Sequence, residues 1–204
     1  MLTVNRVIKI LISADLMFNA ASGFINPVFA IFLVRSIEGG SAQLAGTAVA
    51  IYWITKSTLR IPVAYFLDKK QGEHDDFYSM IIGFIVFAMA HFLYLLAEIP
   101  AHIYVIQFLM GLGGAFAFTP WYGFFTRHID LSHESFEWSI SVSVVGFGLA
   151  AAGFLSGLIV DRLGFTPLFI ISGIIALLGV ALLSLIGKNI QIARKENYVI
   201  KVKK

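Results

Sequence analysis

A helix that crosses the ~30 Å hydrocarbon core of a bilayer needs about 20 predominantly apolar residues. This chain offers six such stretches, roughly 7 to 34, 42 to 67, 77 to 97, 102 to 127, 136 to 160 and 166 to 187. Between them stand short breaks with turn chemistry: Glu38-Gly39-Gly40-Ser41, Asp68-Lys69-Lys70-Gln71-Gly72, Glu98-Ile99-Pro100, His128-Ile129-Asp130 and Asp161-Arg162-Leu163-Gly164. Breaks this short make consecutive helices antiparallel neighbours. With 58% hydrophobic and 13% charged residues, the chain is also too apolar to clothe a soluble domain. The expected fold class is an all-α membrane protein of six transmembrane helices.

Charge placement sets the expected orientation. If the amino end is cytoplasmic, Arg6, Lys9, Lys69, Lys70, Arg127, Lys188, Arg194, Lys195, Lys201, Lys203 and Lys204 lie inside, against Arg35 and Arg162 outside. Both termini are therefore expected in the cytoplasm, with a prokaryotic cytoplasmic membrane as the location. Asp15 and Asn19 interrupt the first apolar run, and no clean cleavage site follows it, so it reads as a retained helix and not a signal peptide. The basic residues cap apolar runs instead of forming a stripe, which argues against nucleic acid as a partner. The absence of cysteine excludes disulfides and thiolate metal sites.

A shift of 93 residues takes Pro27 to Pro120 and Asp68 to Asp161, and also Lys69 to Arg162, Phe32 to Phe125, Ile81 to Ile174 and Ile82 to Ile175. Shared punctuation at matched helical positions predicts two three-helix repeats, 1–96 and 97–187, followed by a basic tail at 188–204. Three is odd, so the second copy enters from the opposite side, as in inverted-topology transporter repeats. The third and sixth helices hold no Asp, Glu, Lys or Arg between Phe77 and Ala97 or between Gly164 and Gly187. They suit lipid-facing places, leaving the interior to the first, second, fourth and fifth.

Three stretches resemble the major facilitator superfamily, over roughly residues 7 to 187. Ala64-Tyr65-Phe66-Leu67-Asp68-Lys69-Lys70-Gln71-Gly72 is similar to the family's G-x-x-x-D-[RK]-x-G loop, with Ala64 for the first glycine and one extra residue before Gly72. Gln107-Phe108-Leu109-Met110-Gly111-Leu112-Gly113-Gly114-Ala115 resembles the fourth-helix pattern R-x-x-x-G-x-G-x-A, with Gln107 in the arginine position. Gly146, Gly148, Gly153 and Gly157, followed by Asp161-Arg162-Leu163-Gly164-Phe165, look like its glycine-rich fifth helix and the turn after it.

The resemblance implies one six-helix half of a twelve-helix fold. Such a half is expected to pair with itself or to belong to a split or truncated transporter. In self-pairing, the fifth helix of one protomer meets the second of the other. Ser139, Ser143, Gly146, Ala150, Gly153 and Gly157 recur at three-and-four spacing, and small residues let backbones approach closely. Packing inside one protomer is the alternative use of that stripe. The resemblance further implies that Asp68 sits at the amino end of the other protomer's fifth helix, where the dipole favours a carboxylate. Asp68, Lys69 and Gly72 are then gating-loop candidates.

Ionisable groups within a bilayer are costly, so Asp15, Lys56 and Arg60 are candidate functional groups. Asp15 and Arg60 lie at similar depth, about two turns from the cytoplasmic end at ~1.5 Å per residue, and Asn19 and Lys56 match one turn deeper. Lys56 and Arg60 share a face four residues apart, and one carboxylate serves both poorly. The surplus cation points to an anionic or carboxylate-bearing solute, with Asp15, Asn19, Tyr52, Lys56, Arg60 and Gln107 as substrate or ion-coupling residues. The bland alternative is an Asp15–Arg60 structural pair with Lys56 snorkelling or bonded to Asn19.

Tyr52, Trp53, Trp121 and Tyr122 are candidates for a cavity lining or for interfacial anchors. Pro27 and Pro120 are expected to bend or open their helices. His91 is expected to bond a neighbour. His128, Asp130, His133 and Glu134 have metal-type side chains, but a solvated loop of this composition is the commoner case, and no metal or other cofactor is expected. Ser156 has no histidine at its depth, so no enzyme is expected. The leading expectation is a secondary transporter working by alternating access as a homodimer, moving a small solute with H+ or Na+. A non-transporting membrane interaction protein of the same half fold is the alternative.

Overall fold

In a computed structural model, residues 4–70, 73–130 and 133–187 are described; Gly72 and the basic tail lie outside them. These residues form seven α-helices: α1 (Arg6–Ile25), α2 (Phe29–Ser36), α3 (Ala42–Lys70), α4 (Glu73–Leu93), α5 (Pro100–His128), α6 (Glu134–Leu163) and α7 (Phe165–Ser184). Two 3-10 turns, Asn26–Val28 and Tyr94–Leu96, complete the helical elements among them. The first apolar run is thus two helices in series, α1 and α2. Pro27 has no N–H to donate, and the backbone tightens into a 3-10 turn at Asn26–Val28 before helix resumes. Pro120, its counterpart under the 93-residue shift, lies inside an unbroken α5. Here a proline costs one rung of the ladder without ending the helix, because Phe118, Trp121, Phe124 and Phe125 around it are buried against neighbours.

The helix ends follow local chemistry. The Asn5 side-chain carbonyl accepts from the Ile8 N–H at 2.9 Å and caps α1, and the Ser41 hydroxyl accepts from Leu44 N–H at 3.1 Å at the start of α3. Pro100 occupies the first turn of α5, where a missing N–H costs nothing. Glu73, Asp75 and Asp76 occupy the first turn of α4, and Arg127 and His128 the last of α5, each sign suited to its helix dipole. Gly164 closes α6 with φ of 83°, a left-handed conformation open to glycine, and α7 begins at the next residue.

Among the described residues, five elements are long and apolar enough to span a membrane: Arg6–Ser36, Glu73–Leu96, Pro100–His128, Glu134–Leu163 and Phe165–Ser184. The helix α3 is 29 residues long but less apolar, since Gln43, Thr47, Thr55, Lys56 and Arg60 interrupt it. Its place is fixed by packing. α3 lies on α5, α5 on α4, α4 on α7, α7 on α1 and α1 on α6. The helices thus form an arc with α3 and α6 at its two ends.

Glycines set the close approaches around α5. A Cβ on Gly113 would stand 2.8 Å from Gly83 O and from Phe87 N of α4, and one on Gly111 would stand 2.8 Å from Tyr52 O of α3. The G-x-G spacing read from the sequence therefore lets α5 seat two helices at once, in the small-residue packing that membrane helices favour. Between α1, α4 and α5 the core is aromatic. Phe18 and Phe84 stack with centroids 3.5 Å apart, and Phe118 meets Phe84 and Phe87 edge-on. Tyr94 stacks on Phe169 of α7.

Candidate functional site

The arc encloses a cavity of about 600 Å³. From α1 and the 3-10 turn that follows it come Asp15, Asn19, Ser22 and Asn26, spaced four, three and four apart, so that they line one side of the run. Opposite them α3 presents Tyr52, Trp53 and Lys56, α5 supplies Gln107, Phe118 and Trp121, and α6 supplies Trp138 and Ser141. Phe87 and Tyr94, from α4 and the turn after it, also reach the lining, and α7 contributes no lining residue. The interior therefore comes mainly from the four expected helices, with an unexpected share from the third.

Asp15 is buried, at 8% exposure, and its Oδ1 accepts a hydrogen bond from Asn19 Nδ2 at 2.8 Å. The same amide also donates to Asp15 O at 2.9 Å. Lys56 Nζ donates to the Tyr52 hydroxyl at 2.9 Å and stands 4.5 Å from the Phe118 ring centroid and 5.2 Å from that of Trp53. Cation–π contacts of this kind stabilise an ammonium removed from water. The Arg60 guanidinium lies 5.0 Å from the Tyr122 ring centroid.

The Asp15–Arg60 and Asn19–Lys56 pairings of the alternative reading do not form. α1 packs on α6 and α7 while α3 packs on α5, so equal depth leaves these groups on opposite walls. Asp15 turns to its own helix neighbour Asn19, and the two cations turn to aromatic rings.

Gln107 Nε2 donates to the Tyr94 hydroxyl at 2.9 Å, and that hydroxyl donates to Met110 Sδ at 3.4 Å. This chain ties α5 to the turn after α4 at the cavity wall. Trp121 lines the cavity and is 2% exposed, with no hydrogen-bond partner for its indole N–H among the described residues, so it is not an interfacial anchor. His91 is fully buried and bonds the Phe87 carbonyl through Nδ1 at 2.8 Å, as expected of a structural histidine. The Ser156 hydroxyl donates to Gly153 O at 2.8 Å.

Ser139, Ser143, Gly146 and Ala150 are exposed on α6. Nothing lies within 4 Å of a Cβ built at Gly146 or Gly157, while one at Gly153 would stand 3.6 Å from Pro27 Cγ. Inside the protomer, α6 packs instead through Glu137, Ser141, Ala152 and Ser156. Packing within one protomer therefore accounts for little of the small-residue stripe. Asp68 and Lys69 are exposed at the end of α3.

Sequence reading missed the polar network on the face where α4 begins and α5 ends. Arg127 pairs with Asp76, joining the end of α5 to the start of α4. His128 Nε2 lies 3.9 Å from Glu73 Oε1, and its Nδ1 bonds Phe124 O at 2.9 Å. Opposite charges in the first turn of α4 and the last turn of α5 were the available signal.

The sequence model of the Major Facilitator Superfamily matches residues 11–197. A search of curated proteins returns no match. Among solved structures, the chain resembles one titled as an auto inhibited POT family peptide transporter, at TM-score 0.74 and 16% identity, covering 90% of this chain and 37% of that one. It also resembles the POT family transporter PepTSo, at TM-score 0.64 and 18% identity, covering 92% of this chain and 38% of that one. The chain thus spans well under half the length of these structures, and at such identity the likeness is one of fold. With the family match running over most of its length, this integral membrane chain belongs to the Major Facilitator Superfamily.

Proposed function

We propose that the chain is one half of a secondary transporter that moves a small anionic or carboxylate-bearing solute by alternating access, completed by a second copy of itself. The observation that carries this reading is the cavity with Asp15 on one wall and Lys56 on the other, bounded by α3 and α6 at the open ends of the arc. Lys56 is the substrate-facing donor, a charge suited to a carboxylate. Asp15, held by Asn19, carries the coupling proton.

In this reading α3 is the sixth crossing, its Lys56 and Arg60 turned to the cavity side and to Tyr122 while Ile54, Ile61 and Phe66 face lipid or the second protomer. Residues 1–96 and 97–187 are two inverted triplets, and both termini are cytoplasmic. The exposed apolar residues of α6, Val142, Phe147 and Phe154, and its Ser139-to-Gly157 stripe cover the α3 of the other copy. Asp68 then lies at the amino end of the other copy's α6. A different six-helix chain would fit the same two edges, a second reading favoured by the 37% and 38% coverage of the solved neighbours.

Uptake of small carboxylates into proteoliposomes, driven by an imposed proton gradient, tests the proposal. The Lys56→Gln variant is expected to lose tenfold or more of the uptake, the effect of one charge-assisted hydrogen bond of about 1.5–3 kcal/mol. Unchanged uptake in that variant would remove Lys56 from the site, and no uptake by the parent protein would favour a non-transporting interaction role.

A further inference from the structure

Where α5 hands over to α6, three metal-type side chains converge that belong neither to the cavity nor to the Asp76–Arg127 pair. Ligand atoms of Asp130, His133 and Glu137 all lie within 4.8 Å of one another. Two features separate this cluster from an ordinary acidic loop. Glu137 is fully buried, and among the described residues neither of its carboxylate oxygens has a partner in hydrogen-bond geometry. A buried carboxylate without partners costs several kcal/mol, which a bound cation offsets.

The backbone also holds the set in place. His133 stands immediately before α6, and Glu137 is one turn on, donating its N–H to His133 O at 2.9 Å. That i, i+4 spacing puts the imidazole and the carboxylate on one face. Asp130 is tied from both sides: its carbonyl accepts from His133 N–H at 3.0 Å, and its Oδ1 accepts from Asn5 Nδ2 at 3.2 Å. Asn5 thereby acts as the outer-shell donor that orients a ligating carboxylate. His128, a metal-type residue of the sequence reading, is turned away toward Glu73.

We infer that Asp130, His133 and Glu137 form a site for one divalent first-row transition cation, with water completing the coordination. Two carboxylates balance the dication, and ligands bonded at about 2.0–2.2 Å to a tetrahedral ion sit roughly 3.3–3.6 Å apart, within small side-chain rotations of the present spread. An imidazole among carboxylates selects Zn2+ over Mn2+ in the usual affinity order and disfavours Mg2+, which requires an octahedron of oxygens. The bound ion joins the α5–α6 turn to the amino end of α1 through Asn5. This site stands apart from the transport reading and does not depend on it.

The test is calorimetric titration of the EDTA-stripped, detergent-purified full chain with ZnCl2, MnCl2 and MgCl2, alongside thermal melts. One equivalent of Zn2+ is expected to bind and to raise Tm, with Mn2+ weaker and Mg2+ without effect. Asp130→Asn, His133→Ala and Glu137→Gln should each weaken Zn2+ binding tenfold or more and abolish the rise in Tm. His102→Ala, an exposed histidine at the start of α5, should change neither. If Glu137→Gln fails to fold, the other two variants decide. Absence of saturable binding, or binding unchanged in the folded variants, overturns the site. A higher metal-free Tm in Glu137→Gln, with no Zn2+ binding by the parent, overturns it in favour of a proton shared between Asp130 and Glu137.

Discussion

Asn19 holds the Asp15 carboxylate from one turn away on the same helix, at 2.8 Å, while Lys56 faces the same cavity from α3 with its ammonium over the Phe118 ring. Anion and cation are held apart by separate local partners instead of collapsing into a pair. A wall-to-wall separation of this kind leaves both free to meet a ligand, whereas a closed salt bridge would have satisfied them internally.

Asp15→Asn keeps the amide partner's acceptor but removes the charge. The proposed proton-carrying role predicts that this variant loses gradient-driven accumulation in proteoliposomes while retaining exchange of substrate across the membrane. Loss of both activities with the fold intact would assign Asp15 to binding substrate.

Gly113 and Gly146 should respond oppositely to bulk. A side chain at Gly113 meets backbone atoms of Gly83 and Phe87, so Gly113→Val is expected to destabilise by about 1–3 kcal/mol and lower Tm by several degrees. Gly146 faces open space, and Gly146→Leu should leave the protomer's melt within a degree or two. Self-pairing through the small-residue stripe predicts that the leucine variant loses its dimer, read by mass in nanodiscs.

Arg127 and Asp76 are 43% and 11% exposed at their side chains, so solvent screens the pair. A double-mutant cycle with Arg127→Gln and Asp76→Asn should give a coupling of no more than about 1 kcal/mol, shrinking further in high salt. A larger, salt-insensitive coupling would place the pair out of water.

The chain has no cysteine, so single substitutions report topology cleanly. Lys69→Cys at the end of α3 should react with an impermeant maleimide from the cytoplasmic side only, and Arg35→Cys at the end of α2 from the opposite side only. Labelling of both from one side would break the inverted-triplet reading.

Much of the fold was legible because its punctuation is local. Pro27, Pro100 and Gly164 act through their own backbone and Ser41 through its hydroxyl, and each marks a break or helix end within a few residues of the expected place. The α5 glycines were legible as a motif, although their use, seating α3 on one side and α4 on the other, needed coordinates. Charge pairing was not legible. Depth along a helix is a one-dimensional quantity, and the failure of Asp15 to meet Arg60 is a matter of which helices adjoin. The stripe Asp15, Asn19, Ser22 and Asn26 was readable from its spacing and would have placed Ser22 and Asn26 at the cavity. Glu137 was hidden for a different reason: an acidic residue in the first turn of a helix usually faces water, whereas this one is fully buried.

The central claim is that the polar cavity between α3 and α6 is completed by a second copy, and native mass spectrometry of the chain in nanodiscs tests it most directly. The account predicts a particle of twice the 22.5 kDa protomer. A single protomer that still moves solute would contradict it.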